Sequence, residues 1–356
     1  MSTSTLKKTT KSVKKNFIFY ILGLILNLEK KNCTKMAKVL NKSHDALYRF
    51  LAKHNFFIPL FSQFFIKMAN YFAQQKSGYL VVDDSAVSKM FAKCIERLAW
   101  IYNSSLGRPE RGLCIVVIAW SNGDITIPIT FTWWFSKKVV DRDHYKTKIQ
   151  YACYLIDQIR NLVKFNYLLA DGLYFSKDMA AFLNDRSIKF LMRCASNRKI
   201  TTDNGVSEQI KNHSSIKLKR NQHSKKISAR YGNQSLYFIV QKRLNKNNEY
   251  ENVYLVSNFE LHHSDYIKAY SGRWNIEPIF RTTKSYIGLS HCSCLSLEKQ
   301  TNHIFAVFFT YNFLQFEKER LKIENPEQAL NTLRELKSIK LINRLNAFNQ
   351  LFGFFA

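Results

Sequence analysis

Apolar runs of strand length occupy the middle of the chain, and apolar residues at helical spacing lie on both sides of it. Between residues 76 and 200 the pattern reads, in order, strand, hairpin, helix, strand, helix and strand. An Asn-Gly-Asp turn (122–124) separates the runs 111–120 and 125–134 and marks the hairpin. Antiparallel strands followed by alternating strands and helices predict an α/β layered domain.

The segment before this unit is predicted to be helical. Residues 2–15 are polar and basic, which is typical of a disordered tail, and residues 17–28 are apolar. The apolar run is too short to cross a bilayer, and no small-residue cleavage site follows it. We therefore expect a buried helix there instead of a signal peptide or a membrane span.

Two short helices are predicted within residues 34–54. Thr34 and Ser43 are suitable capping residues for them. The pair resembles a helix-turn-helix whose second helix would present His44, Arg49 and Lys53 to a DNA groove. The alternative is an ordinary helical hairpin.

The charge balance adds a preference for polyanions. Lys and Arg total 54 against 26 Asp and Glu, which gives a net charge of +28. Such a surplus favours nucleic acid, because neutralised phosphates release counterions, although ribosomal and chromatin proteins share it. A hydrophobic content of 46% with 28 Phe indicates folded cores and excludes a wholly disordered basic chain.

The seven cysteines form no zinc motif in the sequence. Only Cys292 and Cys294 lie close together, beside His291, and no second pair stands at zinc-site spacing. Reduced thiols of a cytoplasmic protein are the simpler expectation. The chain also lacks a phosphate-cradling glycine motif, so no ATP requirement is predicted.

Two aspartate positions follow short apolar runs that have the composition of buried strands. The run 79–82 leads to Asp83 and Asp84, and the run 165–170 leads to Asp171. Either position alone would be ordinary turn chemistry.

Four residues nearer the C-terminus, Tyr270, Arg273, Glu277 and Lys284, are separated by 3, 4 and 7 positions. On a continuous helix they would lie within about 60° of one another. Taken alone, these four residues would form a solvated helix face. Together with the two aspartate positions, the glutamate completes a triad of carboxylates, whose mutual repulsion a bound Mg²⁺ would relieve. Pro278 follows Glu277 directly, so either the helix is kinked there or Glu277 lies close to a helix start.

Together these features resemble the IS4-type insertion-sequence transposases of bacteria, which carry a DDE catalytic triad. Their signature of Tyr, two residues, Arg, three residues, Glu, six residues and Lys is matched at the four positions above without a gap. The block LLADGLYFSKDMAAFLNDRSIKFLMRCASNRKI is similar to the family's second-aspartate region, VVDDSAVSK to its first-aspartate strand and GDITIPITFTWW to the following hairpin. The resemblance covers residues 35–320.

The resemblance implies a metal-dependent catalytic site. Asp83, Asp171 and Glu277 would be the catalytic residues and the ligands of Mg²⁺, for which Mn²⁺ would substitute. Asp84 is the rival to Asp83, which we prefer because its spacing to the following Val-Ser pair (87–88) fits the family better. Two-metal phosphodiester hydrolysis and transesterification would follow, cutting at terminal inverted repeats and joining the 3′ ends to target DNA.

The resemblance also implies the roles of DNA-contacting residues and partners. Arg273 and Lys284 would contact DNA phosphates, and Tyr270 would position a phosphate near the cleaved end. The partners would be double-stranded DNA, as element ends and target, and a second copy of the chain in a homodimer on that DNA. The expected location is the cytoplasm, in association with the nucleoid and without membrane contact.

The implied fold is α/β, an RNase H-like catalytic core interrupted by a β-rich insertion, with an N-terminal helical, helix-turn-helix-like DNA-binding unit. The predicted segments are a disordered basic tail (1–15), a helical DNA-binding domain (16–75), the first part of the core (76–200), the β insertion (201–260), the second part of the core with the Glu helix (261–320) and a C-terminal helical tail (321–356). In the insertion, four aromatic residues would either stack on an unpaired end base or pack between strands: Tyr231, Tyr237, Phe238 and Tyr250. Trp274, next to Arg273, is expected to be a packing residue. The apolar residues of the tail would form either a dimer surface or a cap on the core.

Two other functions fit the same residues. One is a different RNase H-like nuclease without end-specific joining. The other is a non-catalytic DNA-binding protein derived from a transposase, with its site retained by descent.

Overall fold

Helices from both ends of the chain pack against one large mixed sheet. A computed structural model describes residues 3–52, 54–104, 106–202, 205–244 and 247–353, with only the backbone for 3–13 and 54–61. The helices in these ranges are α1 (Thr3–Leu26), α2 (Cys33–Leu40), α3 (His44–Leu51), α4 (His54–Gln75), α5 (Lys148–Ile159), α6 (Lys177–Asp185), α7 (Asp265–Ser271), α8 (Glu277–Thr282), α9 (Leu297–Leu321), α10 (Pro326–Arg334) and α11 (Ser338–Phe352). The strands in these ranges are β1 (Tyr79–Ser88), β2 (Ala99–Asn103), β3 (Arg108–Ser121), β4 (Thr126–Trp134), β5 (Leu168–Ala170), β6 (Phe190–Arg193), β7 (Lys199–Thr201), β8 (Ser207–Gln209), β9 (Ser224–Tyr231), β10 (Gln234–Leu244) and β11 (Tyr250–Ser257). Four short helical turns complete the list: Arg142–His144, Ser214–Ile216 and Gly272–Ile276, which are 3-10 turns, and Thr283–Ile287, which is a π turn.

The strand order of the sheet is β2-β3-β1-β5-β6-β11-β10-β9-β7-β8, with β4 also paired to β3. The β1–β5 and β5–β6 pairs are parallel, and the other pairs are antiparallel. The predicted hairpin is confirmed as β3–β4. Its turn is held by the Asn122 side chain, which accepts hydrogen bonds from the backbone N–H groups of Asp124 and Ile125 at 3.1 and 2.9 Å.

The strands of residues 201–260 extend the same sheet. Pairing of β11 with β6 joins β7–β11 to the central strands, so the predicted β-rich segment continues the sheet edge to edge. Phe238 is buried, and Tyr231 packs against Phe175 with ring centroids 4.8 Å apart, so both are packing residues. Tyr250 is 66% exposed and has no such packing role.

The N-terminal apolar run lies in a buried helix, as the sequence predicts. Phe17, Tyr20 and Ile21 of α1 are almost fully buried. The backbone of α1 is helical from Thr3, so the prediction of a disordered tail over residues 1–15 is wrong for the described part of that tail. A helix can extend there because neighbouring turns supply backbone hydrogen bonds and the segment contains no Gly or Pro. No helix in the described ranges has both the length and the apolar character that crossing a membrane requires.

Helix α9 is the central support of the helical layer. It contacts α1, α3, α4, α10 and strand β4, and nearly all of its residues from 300 to 317 are buried. Some of its buried polar side chains bond to these neighbours: Asn302 donates to the Leu51 carbonyl at 2.7 Å and the Trp133 indole donates to Thr301 at 2.7 Å. The N-terminal helices and the sheet therefore share one core.

The C-terminal helices cap this core. Four of the apolar tail residues, Leu330, Leu333, Leu341 and Leu345, are fully buried within the chain. They are consequently not available as a dimer surface. Of the two predicted roles, the structure shows the cap on the core.

Candidate active site

The register of the central strands brings two of the predicted carboxylates together. In the parallel β1–β5 ladder, Val82 is opposite Ala170, so Asp83 and Asp171 are the next residues along neighbouring strands. Neighbouring strands lie about 4.8 Å apart, and residues at the same register position share a face. The sequence predicts that strand β1 ends where Asp83 begins, but the strand continues to Ser88. It does so because its antiparallel ladder with β3 extends beyond the point where β5 stops.

Asp84 is already engaged by partners other than Arg273. Its carboxylate accepts from the Lys148 ammonium at 2.6 Å and from the Tyr174 hydroxyl at 3.2 Å. Lys148 begins α5, which packs on β3 and β4. Successive residues of a strand point to opposite faces, so the two side chains leave β1 in different directions, although both residues line the cleft that holds Glu277 and Lys284.

The third predicted carboxylate, Glu277, begins a new helix. The predicted continuous helix is instead divided into α7, the 3-10 turn Gly272–Ile276, α8 and the π turn Thr283–Ile287. Pro278 occupies the first turn of α8, where its missing N–H costs nothing. Of the two alternatives that Pro278 raised, Glu277 at a helix start is the one observed.

The 3-10 turn is held close to strand β1. A Cβ atom on Gly272 would lie 2.6 Å from the Tyr79 hydroxyl, so only glycine permits this approach. The same hydroxyl accepts a hydrogen bond from the Asn275 side chain at 2.7 Å. These contacts place the segment from Arg273 to Glu277 over the face that carries Asp83.

Arg273 lies between two of the carboxylates. Its guanidinium is 3.5 Å from the Asp83 carboxylate and 3.5 Å from the Glu277 carboxylate, and its side chain is 9% exposed. Its other contact is the face of the Trp274 ring, 4.0 Å away, a cation–π arrangement. Trp274 thus packs against Arg273, and the 43% of its side chain that stays exposed lines the cleft.

The local charges alter the acidity of the cleft residues. Burial, together with the charges of Asp84 and Asp171, raises the pKa of Asp83 to about 7. Burial also raises the pKa of Tyr270 to about 12, and burial lowers the pKa of Lys284. Carboxylates crowded in this way are stabilised by a nearby cation, which a metal ion or Arg273 can provide.

A cleft of about 670 Å³ opens beside these residues. Its lining includes Asp83, Glu277 and Lys284, as well as Asn103 of strand β2. Asp171 lies next to Asp83 on the neighbouring strand and is not part of this lining. The structure thus gathers Asp83, Asp171 and Glu277, with Lys284, around one side of the sheet.

Two charged residues near the cleft were not identified from the sequence. Glu110 is buried on β3, where it accepts from Asn103 at 2.7 Å and from Ser88 at 3.0 Å, and its charge acts on Lys284. Arg193 follows Met192, which pairs with Ala170, so it stands beside Asp171 in the next strand. The position of Arg193 at the end of an apolar run was a signal of the same kind as that for Asp171, but Glu110 interrupts no recognisable pattern.

The carboxylate oxygens have the chemistry that Mg²⁺ prefers. Across the described parts of the chain, no three His, Cys, Asp or Glu side chains are grouped closely enough, as they stand, to hold a metal ion. Arg273 occupies the space between Asp83 and Glu277, and the Glu277 side chain is 52% exposed. The carboxylates are thus of the right chemical type for a divalent cation, but Asp83 and Glu277 are bridged by the Arg273 guanidinium in this arrangement.

The N-terminal residues predicted to contact DNA lie away from this cleft. Ser43 caps α3 as predicted, whereas the cap of α2 is Asn32 and not Thr34. His44 and Arg49 are exposed on α3. Lys53 lies outside the described residues.

Three thiols that are scattered in the sequence meet in space. Cys33, Cys292 and Cys294 line one cavity of about 250 Å³. Hydrogen bonds from the thiols of Cys292 and Cys33 lower the pKa of Cys294. The sequence could not predict this, because Cys33 belongs to α2 and the other two to the loop before α9.

Comparisons with known proteins agree with this geometry. The family model described as DDE superfamily endonuclease matches residues 5–215, a range that includes Asp83 and Asp171. The model described as Transposase DDE domain matches residues 137–313, which include Asp171 and Glu277. No curated protein matches the sequence significantly. The mixed α/β architecture is consistent with a DDE nuclease fold, and both matches support a DNA transposase or endonuclease. This chain belongs to the DDE superfamily of endonucleases.

Proposed function

We propose that this protein is the DNA transposase of an IS4-type insertion sequence. It cuts DNA at the terminal inverted repeats of its element and joins the 3′ ends to target DNA. The observation that supports this most strongly is the shared face of Asp83 and Asp171, with Glu277 held opposite them by Arg273. The signature of four spaced residues in the sequence gives independent support for the IS4 type.

Asp83, Asp171 and Glu277 would hold divalent metal, with Mg²⁺ as the proposed ion and Mn²⁺ as a substitute. Such ions, when bound, supply an activated water or 3′-hydroxyl and stabilise the leaving oxygen. DNA-transposing enzymes of this superfamily generally use divalent metals, which is why we assign this role to the carboxylates. Asp84 would have a structural role through Lys148.

The basic groups of the cleft would bind the DNA backbone. When the Glu277 side chain turns towards Asp83, the Arg273 guanidinium loses one carboxylate partner and can donate to a phosphate. Lys284, which lines the cleft, would contact a second phosphate. The buried Tyr270 would position the phosphate that Arg273 binds, near the cleaved end. The core would be RNase H-like, with β7–β11 as its insertion.

We assign recognition of the inverted repeats to the N-terminal helical unit, with His44 and Arg49 facing a DNA groove. The exposure of His44 and Arg49 on α3 supports this assignment. Two copies of the chain would act together on two element ends, in the cytoplasm and on nucleoid DNA.

The test is strand cleavage of linear DNA that carries the flanking sequence of the gene. With Mg²⁺ we expect breaks at a fixed position, and Glu277→Gln should bind the same DNA but reduce cleavage by about 1,000-fold or more, since a metal ligand is lost. Glu208→Gln, at an exposed glutamate of β8, is the matched control and should cleave like the wild type. Cleavage by Glu277→Gln at the wild-type rate would refute the site. Specific binding without cleavage by the wild type would indicate a repurposed DNA-binding protein.

A further inference from the structure

A second groove adjoins the catalytic cleft. It has a volume of about 810 Å³, and Ser285 lines both spaces. Its walls come from the loop between α1 and α2, the end of β1 with the loop that follows it, and the π turn with the residues between it and α9. We call it the side groove.

The side groove is basic at its surface. Lys30 and Lys93 are exposed cations of its lining, and Arg334 is partly buried there. Lys31 and Lys89 also line it, but both are buried and donate to backbone carbonyls, and burial lowers the pKa of each to about 8. The acidic residue in its lining is Glu29, which is paired with Lys35 outside the groove. The groove therefore presents a positive surface to which a polyanion is complementary.

An unusually exposed aromatic residue stands at the rim. Phe91 is 96% exposed, although burial of an apolar side chain of this size would stabilise the fold. It occupies the centre of a tight turn that the Ala92 N–H closes on the Lys89 carbonyl at 2.9 Å. Met90, the other central residue of the turn, is 47% exposed.

The base of this turn is firmly attached. The Lys89 ammonium is buried and donates to the carbonyls of Ser290 and Cys292 at 2.9 and 2.6 Å. Further along the loop, the Glu96 N–H donates to the Leu295 carbonyl at 2.9 Å. Phe91 is thus held outward by a fixed support, so little conformational entropy would be lost when its ring meets a ligand.

We propose that the side groove binds single-stranded DNA where it leaves the catalytic cleft, with Phe91 stacked on an unpaired base. This inference rests on the proposed function, because it uses the strand separation that occurs at a cut element end. An exposed ring beside several cations is the combination that single-strand binding uses: cations follow the backbone, and the ring receives a base face. Duplex DNA would use only the cations, since its bases are already stacked on one another.

The first experiment measures binding of fluorescent oligodeoxythymidine to the full-length protein by anisotropy, without divalent metal. Phe91→Ala should weaken binding by about ten-fold or more, as expected for loss of one stacked base, and Phe91→Trp should restore it. Tyr154→Ala is the matched control, because Tyr154 is another exposed aromatic residue, on α5, and should bind like the wild type. Thermal unfolding of each variant checks that the fold is retained.

The second experiment replaces the exposed cations Lys30 and Lys93 by Glu. The salt dependence of oligodeoxythymidine binding should become less steep, because fewer counterions are released. Unchanged affinity in both Phe91→Ala and the Lys variants would overturn the proposal. So would a Phe91→Ala variant that binds the oligonucleotide normally but no longer sediments as a dimer, since the groove would then be an interface between copies.

Two combinations of results separate the role of the side groove from the proposed function. If the wild type never cleaves DNA but Phe91→Ala still loses single-strand binding, the groove assignment stands and the enzyme assignment falls. If the wild type cleaves at fixed ends and Phe91→Ala binds single strands normally, only the groove assignment falls.

Discussion

At the scale of single residues, the most informative contrast is between Asp83 and Asp84. They are neighbours in the chain, but the pleat of β1 directs Asp83 to Arg273 and Asp84 to Lys148. The side chains of Asp84 and Lys148 are each less than one-quarter exposed. Loss of either partner would leave a charge that is partly buried and unpaired, which is costly.

Asp84→Asn should therefore destabilise the protein, with a decrease in the free energy of unfolding of about 1–3 kcal/mol. Asp185→Asn, at an exposed aspartate of α6, should change it by less than about 0.5 kcal/mol. Urea unfolding at neutral pH measures both. Equal, small effects would show that the Lys148 pair contributes little and would reopen the choice between Asp83 and Asp84.

The sequence identified these residues but could not assign them to faces. Two adjacent aspartates after an apolar run are equivalent in the sequence, and the partners that distinguish them, Lys148 and Arg273, are 64 and 190 positions away from Asp84 and Asp83. Arg273 was expected on a DNA-facing surface. In the structure its side chain contacts two carboxylates, which requires the sheet and the Glu segment to be assembled first.

At the scale of elements, the segment from α7 to the π turn is divided into short helical pieces, and these breaks determine where its site residues lie. A straight helix would carry Tyr270, Arg273, Glu277 and Lys284 on one stripe, but here Tyr270 is buried and Lys284 lies in a π turn. Gly272 allows the segment to approach β1, and Pro278 restarts the helix. Pro278 was a visible signal for this break, whereas the π turn had none.

Gly272→Ala should disturb this element specifically. The added Cβ would meet the Tyr79 hydroxyl at 2.6 Å and two of its ring carbon atoms at 2.7 and 3.0 Å, so the 3-10 turn must move away from β1. We expect about 1–3 kcal/mol of destabilisation, as for other overpacked sites, and a larger proportional loss of DNA cleavage. Ser271→Ala, at an exposed neighbour whose hydroxyl bonds only to the Lys268 carbonyl, is the control. Wild-type cleavage by Gly272→Ala would mean that the approach to β1 is not needed for the site.

The strands were easier to predict than the helices of the site. The β3–β4 hairpin follows from local turn chemistry, and β5 from a short apolar run that ends at Asp171. The continuation of β1 to Ser88 was missed, because it depends on pairing with β3 and not on any apolar run of its own.

At the scale of the whole molecule, α9 joins parts that the sequence assigns to separate domains. His303 of α9 accepts from or donates to Tyr20 of α1 at 2.7 Å, and its other ring nitrogen contacts the Gly288 carbonyl at 2.9 Å. Gly288 follows the π turn that carries Lys284. A carbonyl only accepts, so Nε2 carries the proton and Nδ1 accepts from the Tyr20 hydroxyl in the neutral ring.

This buried histidine predicts a pH dependence of stability. Burial lowers the pKa of His303 to about 3, below its ordinary value, so the unfolded chain takes up the proton first as the pH falls. The free energy of unfolding should therefore decrease between pH 6.5 and 3, by up to about 1.4 kcal/mol per pH unit from this group. The slope should be reduced in His303→Gln but not in the exposed control His262→Gln, as measured by urea unfolding from pH 7 to 5. An unchanged slope in His303→Gln would assign the pH dependence to other groups.

If the protein is the proposed transposase, the shared core around α9 limits how its insertion sequence could acquire new inverted repeats. If recognition lay on a detachable module, new inverted repeats could be adopted by exchanging that module between elements. Here α1 and α3 are packed against α9, which also contacts the segment leading from Glu277. In a chimera, residues 1–75 from one transposase would have to pack against the α9 of the other. Recognition of the DNA ends and catalysis would therefore be inherited together. The ends of the element and its enzyme would then diverge by small, coordinated steps.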